Sequence, residues 1–206
     1  MGRAFSEEEK ESLKIKLMET AVELYHEKGK KSLSIRELTK RAGISLGSFY
    51  NFWEDKDALV LDVMKYRIAQ KLDMIAKSFP DSLDDPAGYL TDKLYEWCMD
   101  FKEKIDTKPI YRESISTLRR SSADEENRIA SLYKGFLNKL ADYWTENKAV
   151  TEVDMQGVIN VFTAVGVMLS EKEQFDPQYY SGLFRTMIEA GVRKYIKTKK
   201  HKTAKR

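Results

Sequence analysis

The sequence predicts an all-α protein of about nine helices, and three observations lead there. Leu, Glu, Lys, Met and Ala, all strong helix formers, are abundant, while 206 residues hold only 4 prolines and 10 glycines. Apolar residues recur at three- and four-residue intervals in segment after segment, the spacing that gathers them on one face of a helix. No stretch sustains the two-residue alternation of a half-buried strand.

The first helix spans Glu7 to Lys28, with Leu13, Leu17, Ala21, Leu24 and Tyr25 on its inner face. Ser6 and Glu9 have capping-box spacing at its start, and Gly29 is a natural stop. Ser34 is placed to cap a second, short helix through Arg41, with Ile35, Leu38 and Ala42 turned inward. Gly43 ends it, because a left-handed cap carries no Cβ penalty for glycine. Ser45 caps a third helix that extends to about Phe52 before "WEDKDA" interrupts. Asp55 opens a long fourth helix marked by Leu59, Val63, Tyr66 and Leu72, ending near Phe79 and Pro80. Residues 80–86, "PDSLDDP", are the clearest breaker in the chain. Beyond it the periodicity gives helices over Tyr89–Ile105, Ile110–Leu118, Asp124–Asn147, Val153–Lys172 and Gln178–Lys197, the last entered through Asp176 and Pro177.

Two short helices about a glycine-containing turn, with a supporting helix before them, form a helix-turn-helix. A helix fits the DNA major groove, and the residues near its N-terminus meet base edges. In such a docking Ile44 and Phe49 point into the small core, and Ser45, Leu46, Gly47, Ser48 and Tyr50 face outward. Gly47 and Ser48 permit close approach, Leu46 suits a thymine methyl, and the Tyr50 hydroxyl suits phosphate. Arg36 and Lys56 bracket the helix as phosphate clamps. The aromatic run Phe49, Tyr50, Phe52, Trp53 has a mechanical reading. So short a helix is marginal alone, so Phe49, Phe52 and Trp53 pin it to the first and fourth helices while Tyr50 stays exposed.

The stretch "KLMETAVELYHEKG" followed by "SIRELTKRAGISLGSFYNFWEDKDAL" resembles the DNA-binding domain of the TetR family of transcriptional regulators, from about Leu13 to Leu61. The resemblance implies DNA contacts from the start of the second helix (Ser34, Ile35, Arg36) and from the recognition helix (Ser45, Leu46, Gly47, Ser48, Tyr50, Asn51). Lys56, at the start of the fourth helix, completes the implied set. Thr39 stands where the family usually has a small alanine. Phe52 stands where histidine or tyrosine is frequent, which removes one phosphate donor. The resemblance also implies a second helical domain that binds a small molecule and dimerises. The expected organisation is a helix-turn-helix domain over residues 1–60, an effector-binding and dimerisation domain over 61–197, and a basic tail over 198–206.

The later helices bear on the second domain. "VINVFTAVGVML", Val158 to Leu169, is apolar nearly all round, with only Asn160 and Thr163 interrupting. A helix packed on both its own domain and a partner has this composition, as does the buried core helix of a monomer. The dimer candidates are Val158, Phe162, Val165, Gly166 and Leu169, together with Phe184, Met187, Ile188, Gly191 and Tyr195 of the final helix, in an isologous four-helix interface. A twofold homodimer implies a palindromic operator in double-stranded DNA. Trp97, Cys98, Phe101, Tyr111, Tyr133, Phe136, Trp144 and Phe162 are candidate walls of a pocket for a hydrophobic or aromatic effector, or plain core. Glu96, Asp100, Glu103 and Glu113 suit a cationic effector or simple solvation equally well.

Other function classes find little support. Formal charge is only +3, and the ten residues "KTKKHKTAKR" hold more basic charge than that whole excess. Cys98 is the single cysteine, which excludes an intramolecular disulfide and fits a reducing cytoplasm. The opening residues show no apolar signal core, and no apolar run is long enough for a bilayer. His26 and His201 have no catalytic arrangement around them, and neither metal-ligand spacing nor a phosphate-binding glycine loop occurs, so no enzyme, metal or cofactor is expected. The expected function is a cytoplasmic, ligand-responsive, homodimeric repressor. The alternatives are a DNA-binding dimer without an effector, of architectural type, and a helical protein-interaction adaptor.

Overall fold

The structure is a computed structural model and describes residues 6–28 and 34–198. The expected helix stop at Gly29 and the basic tail from residue 199 onward lie outside the described residues. Nine α-helices are found among them: α1 Glu7–Lys28, α2 Ile35–Ala42, α3 Leu46–Phe49, α4 Lys56–Ala76, α5 Pro86–Thr107, α6 Pro109–Arg120, α7 Ala123–Glu146, α8 Met155–Ser170 and α9 Pro177–Tyr195. Short 3-10 turns occupy Phe79–Ser82 and Lys172–Gln174, and a two-stranded antiparallel ribbon pairs β1 Val150–Val153 with β2 Ile196–Thr198.

The chain forms two compact units. The first comprises Met1–Ala69 and Lys104–Ile129, the second Gln70–Glu103 and Ala130–Arg206. Contiguous domains divided after residue 60 are what the sequence predicts. By packing, residues 104–129, which include all of α6, belong with the helix-turn-helix. A segment that returns from far along the chain leaves no periodic signature at the place it returns to.

In the first unit, Leu17, Leu24, Leu38, Phe49 and Leu59 are fully buried and join α1 through α4 in one apolar cluster. The Ser6–Glu9 capping box closes reciprocally: Glu9 N–H donates to Ser6 Oγ at 3.1 Å, and Ser6 N–H to Glu9 Oε2 at 2.8 Å. Lys16 Nζ donates to the carbonyl of Ala42 at 3.1 Å, so α1 supplies a cation to the C-terminal end of α2.

In the second unit, Phe184, Ile188 and Val192 of α9 and Val158 of α8 are almost wholly excluded from water. The two helices approach closely because Gly191 faces Val161, whose Cγ2 would lie 2.7 Å from an added Cβ. Gly157 similarly makes room for the Tyr195 ring. Trp144, 2% exposed, donates its indole N–H to Ser82 Oγ at 2.6 Å, which satisfies the one polar atom on a buried ring.

α4 ends at Ala76, short of Phe79, and α5 opens at Pro86, ahead of Tyr89; two further departures have an identifiable cause. α3 stops at Phe49, three residues short, because the backbone tightens into three-residue turns (Phe52 N–H to Phe49 O, 2.9 Å) as Phe52 and Trp53 turn toward the core. The ribbon takes Val153, Ile196 and Lys197 out of the helices predicted for them. Asp154 caps α8, its carboxylate accepting from Gly157 N–H at 2.9 Å, and so forces the residues before it out of the helix. Four and three residues are too few to show an alternation.

Candidate nucleic-acid interface

The turn between α2 and α3 is set by backbone chemistry. Gly43 takes φ +75°, in the left-handed region. Its N–H reaches the Lys40 carbonyl, and Ile44 N–H reaches the Thr39 carbonyl at 2.9 Å, closing α2. Thr39, where alanine was expected, is buried, and its hydroxyl donates back to the Arg36 carbonyl at 3.1 Å, so the extra oxygen is satisfied. Ser45 caps α3 as predicted, its Oγ accepting from Ser48 N–H at 3.1 Å.

This capping fixes which side of α3 faces outward. Ser45, Leu46, Gly47, Tyr50 and Asn51 are exposed, Leu46 by 39% and Tyr50 by 54%. Ser48 is half-buried, with its hydroxyl 2.8 Å from that of Ser45. At the start of α2, Arg36 is exposed and Ile35 half-buried. Ser34 has extended backbone, and its hydroxyl makes no cap bond to α2, unlike that of Ser45.

The aromatic pins lie behind that surface. Phe49 is fully buried and Trp53 is 4% exposed, with ring centroids 5.5 Å apart. Trp53 Nε1 donates to Asp62 Oδ2 of α4 at 3.0 Å, and Lys14 Nζ of α1 lies 5.8 Å from the Trp53 ring centre and 2.8 Å from Asp62. Burial opposes ionisation of Asp62, but hydrogen bonds from Lys14, Lys65 and Trp53 overcome it and bring its carboxyl down to about 2. Lys65 in turn bridges Asp62 and Glu125 of α7, at 2.6 and 2.9 Å. The sequence gives the pins but not this charge chain, whose members are scattered along it.

Lys56 opens α4 as predicted, but its ammonium is engaged. Nζ lies 3.3 Å from Glu113 Oε1 of α6 and 5.7 Å from the centre of the Tyr25 ring.

The candidate effector residues separate. Trp97, Phe136 and Phe162 line a small cavity in the second unit, with Tyr133 stacked obliquely against Trp97 (5.5 Å) and Phe162 (6.4 Å). Cys98 is buried nearby, and burial pushes its thiol up to about 12. Trp144 belongs to the core around Ser82, and Phe101 is half-buried away from the lining. Tyr111 lies in the first unit, under Lys104. The remaining lining residues, Leu72, Ile75, Tyr89, Leu90, Lys93 and Leu94, were not anticipated. The recurrence 90, 93, 94, 97 along α5 was their available signal. The cavity measures about 20 Å³, room for one water molecule.

On α8 and α9 the dimer candidates need correction by face. Val158, Val165, Phe184 and Ile188 are buried in the chain's own core, so they offer no surface to a partner. Gly191 and Tyr195 are consumed by the close contacts with Val161 and Gly157. Phe162 and Leu169 are half-buried, Phe162 at the cavity. Gly166 and Met187 are exposed, beside Val167, Tyr179 and Leu183, which are 57%, 66% and 43% exposed. A helix apolar on every side does not reveal which side its own core takes. No helix among the described residues is long and apolar enough to cross a membrane.

The chain is similar to known proteins in sequence and in fold. Residues 17–63 match the family model described as bacterial regulatory proteins, tetR family. Over 58 residues the chain is 41% identical to the uncharacterized HTH-type transcriptional regulator YuxN of Bacillus subtilis strain 168, covering 28% of this chain but spanning only 19% of that relative's length. Over 183 residues it is 22% identical to IcaR of Staphylococcus aureus strain Newman, a biofilm operon icaADBC HTH-type negative transcriptional regulator, covering 82% of this chain and 96% of IcaR. Among solved structures, that of RolR in complex with resorcinol aligns with a TM-score of 0.60 at 17% identity, covering 92% of this chain and 90% of RolR. The helix-turn-helix lies inside the matched segment, so residues 17–63 belong to the tetR family of bacterial regulatory proteins, and the nine helices described follow the fold of RolR.

Proposed function

We propose that the protein is a cytoplasmic homodimeric repressor that holds a palindromic operator in double-stranded DNA and leaves it when a small hydrophobic or aromatic effector binds. The observation that carries the DNA reading is the exposed front of α3. Ser45, Leu46, Gly47, Tyr50 and Asn51 face solvent from a helix whose back is locked by Phe49 and Trp53. In this reading Ser34, Ile35 and Arg36 at the start of α2, together with Lys56, meet the phosphate backbone, and Ser48 supports the Ser45 hydroxyl. The negative sign follows the name of IcaR, and an aromatic effector follows the resorcinol held by RolR.

The same helix carries both ends of the proposed switch. α4 begins at Lys56 and contributes Leu72 and Ile75 to the cavity wall. An organic effector must first open a space of about 20 Å³ by displacing Trp97, Phe136 or Phe162. It therefore favours a conformation with those rings apart, and shifts the equilibrium only by its preference for that state, about 1–3 kcal/mol in typical cases.

Fluorescence anisotropy with labelled duplexes tests the reading. Affinity falls steeply as salt rises, Lys56→Ala weakens all sequences about equally, and changes at Leu46 or Ser48 alter which sequence is preferred. Absence of salt-dependent duplex binding overturns it. The nearly filled cavity favours one second reading, a DNA-binding dimer with no effector. That reading gives the same duplex binding, unchanged across a panel of small aromatic and hydrophobic compounds.

A further inference from the structure

At the N-terminus of α4, the charge proposed for operator phosphate already has an anion. Lys56 Nζ and Glu113 Oε1 are 3.3 Å apart, and the two side chains are only 31% and 16% exposed. The Tyr25 ring on α1, 5.7 Å from the ammonium, adds cation–π attraction. One residue further on, Asp57 meets Arg120 of α6 at 3.4 Å. α6 therefore meets the start of α4 through two ion pairs of opposite sense, which set its register there. All of these residues lie in one compact unit, the one that contains the helix-turn-helix.

Glu113 is an unusual partner. Its second oxygen, Oε2, is buried with no short hydrogen bond, as is the hydroxyl of Tyr25, so the interaction between Tyr25 and the carboxylate is a long one. Burial, then the Glu113 charge and a weak hydrogen bond to that carboxylate, raise the Tyr25 hydroxyl far above the ordinary tyrosine range, so it stays protonated. A carboxylate placed this way leans on Lys56 for its charge compensation, since Tyr25 beside it is neutral. In charge and in its oxygen ligand it offers Lys56 what a phosphodiester would.

We infer that Glu113 sets DNA affinity from outside the helix-turn-helix, as an internal stand-in for phosphate that competes with the operator backbone for Lys56. The inference rests on the reading that Lys56 contacts phosphate. A phosphodiester reaching Lys56 draws the ammonium away from Glu113 and leaves that carboxylate under-solvated, so part of the contact's worth is lost. Glu113→Gln keeps the side chain's shape, removes its charge and releases the ammonium.

The test uses the full chain, a fluorescein-labelled mixed-sequence duplex of about three helical turns, and anisotropy titrations between about 50 and 200 mM salt. Four proteins are compared: wild type, Glu113→Gln, Lys56→Ala and the double variant. The expected result is that Glu113→Gln binds about two- to fivefold more tightly, the scale of a partly exposed ion pair. Its log–log salt slope steepens by up to about one, and both gains vanish in the Lys56→Ala background. Binding by Glu113→Gln that equals or falls below wild type, while Lys56→Ala still weakens it, overturns the competition and leaves the phosphate reading standing. A wild type without salt-dependent binding, or a Lys56→Ala variant equal to wild type, overturns the phosphate reading itself. If Glu113→Gln loses helical circular dichroism, Glu113→Ala, which also removes the buried orphan oxygen, is read in the same way.

Discussion

Asp62 holds the recognition helix from outside it. The carboxylate takes the Trp53 indole N–H at 3.0 Å, Lys14 at 2.8 Å and Lys65 at 2.6 Å, so one residue of α4 ties down α1 and the last pin behind α3. The consequence is a dependence on pH with a definite sign. Folding lowers this carboxyl from its ordinary value of 3.8 to about 2, so on acidification the unfolded chain takes up the proton first. The stability Asp62 supplies is therefore complete above about pH 4. It is lost as pH falls toward 2. Urea midpoints taken at pH 5 and again near pH 3 should fall more for wild type than for Asp62→Asn, whose side chain does not titrate. Equal slopes in the two proteins would show that the carboxylate is not held as the geometry has it. In sequence Asp62 is an ordinary charge on a helix. Its importance comes from Lys14 and Trp53, 48 and 9 positions away, and separations like these carry no periodic signal.

Among the elements, α3 is the most dependent on its ends. Four residues cannot sustain a helix alone, so the geometry of the DNA-facing surface is delegated to Gly43, Ser45 and the rings that follow. Nothing lies within 4 Å of the Cβ position at Gly43, so space does not exclude alanine there, but the φ of +75° does. Gly43→Ala should lower stability by about 1–2 kcal/mol, and Ser45→Ala by about 1 kcal/mol. Thermal melts measure both, and Ser45→Ala should in addition weaken duplex binding, since its hydroxyl also orients Ser48. A Gly43→Ala protein as stable as wild type would mean that the turn has a second conformation available. These terminal signals were legible because they are local: a serine before a helix, a glycine after one, aromatic residues at short spacing. The end of α3 and the β1–β2 ribbon were not, because Phe52 stacks obliquely on Trp53 and Val150 pairs with Thr198 only once the tertiary structure exists. The same reason hid the place of α6, predicted as a helix but not as a neighbour of α1 and α4, where Glu113 meets Lys56.

At the scale of the whole molecule, the outward faces of α8 and α9 remain to be accounted for. The apolar composition of these helices was plain in the sequence, but which residues serve the protomer and which serve a partner was not, since helical periodicity is blind to a second apolar face. The structure separates buried positions from exposed ones. Val158, Val165, Phe184 and Ile188 face inward, whereas Val167, Leu183 and Met187 stand in solvent together with Gly166, which has open space beside it. Along α9 the exposed residues 179, 183 and 187 follow one another at four-residue intervals, a continuous stripe of the kind a symmetric partner covers. Leu183→Glu separates the two roles. A residue 43% exposed adds little to its own core, so helix content and melting of the protomer should hardly change, while near a twofold axis the substitution sets two carboxylates against each other. Sedimentation should then show a dimer giving way to a monomer. Affinity for a palindromic duplex should fall at least about a hundredfold, because two linked half-sites become one. Ile188→Ala should do the reverse, costing about 2–5 kcal/mol of folding stability while leaving the outward stripe intact. A Leu183→Glu protein that sediments as the wild type does would place the twofold contact on another face, and a wild type that is monomeric throughout would remove the geometric basis for a palindromic operator.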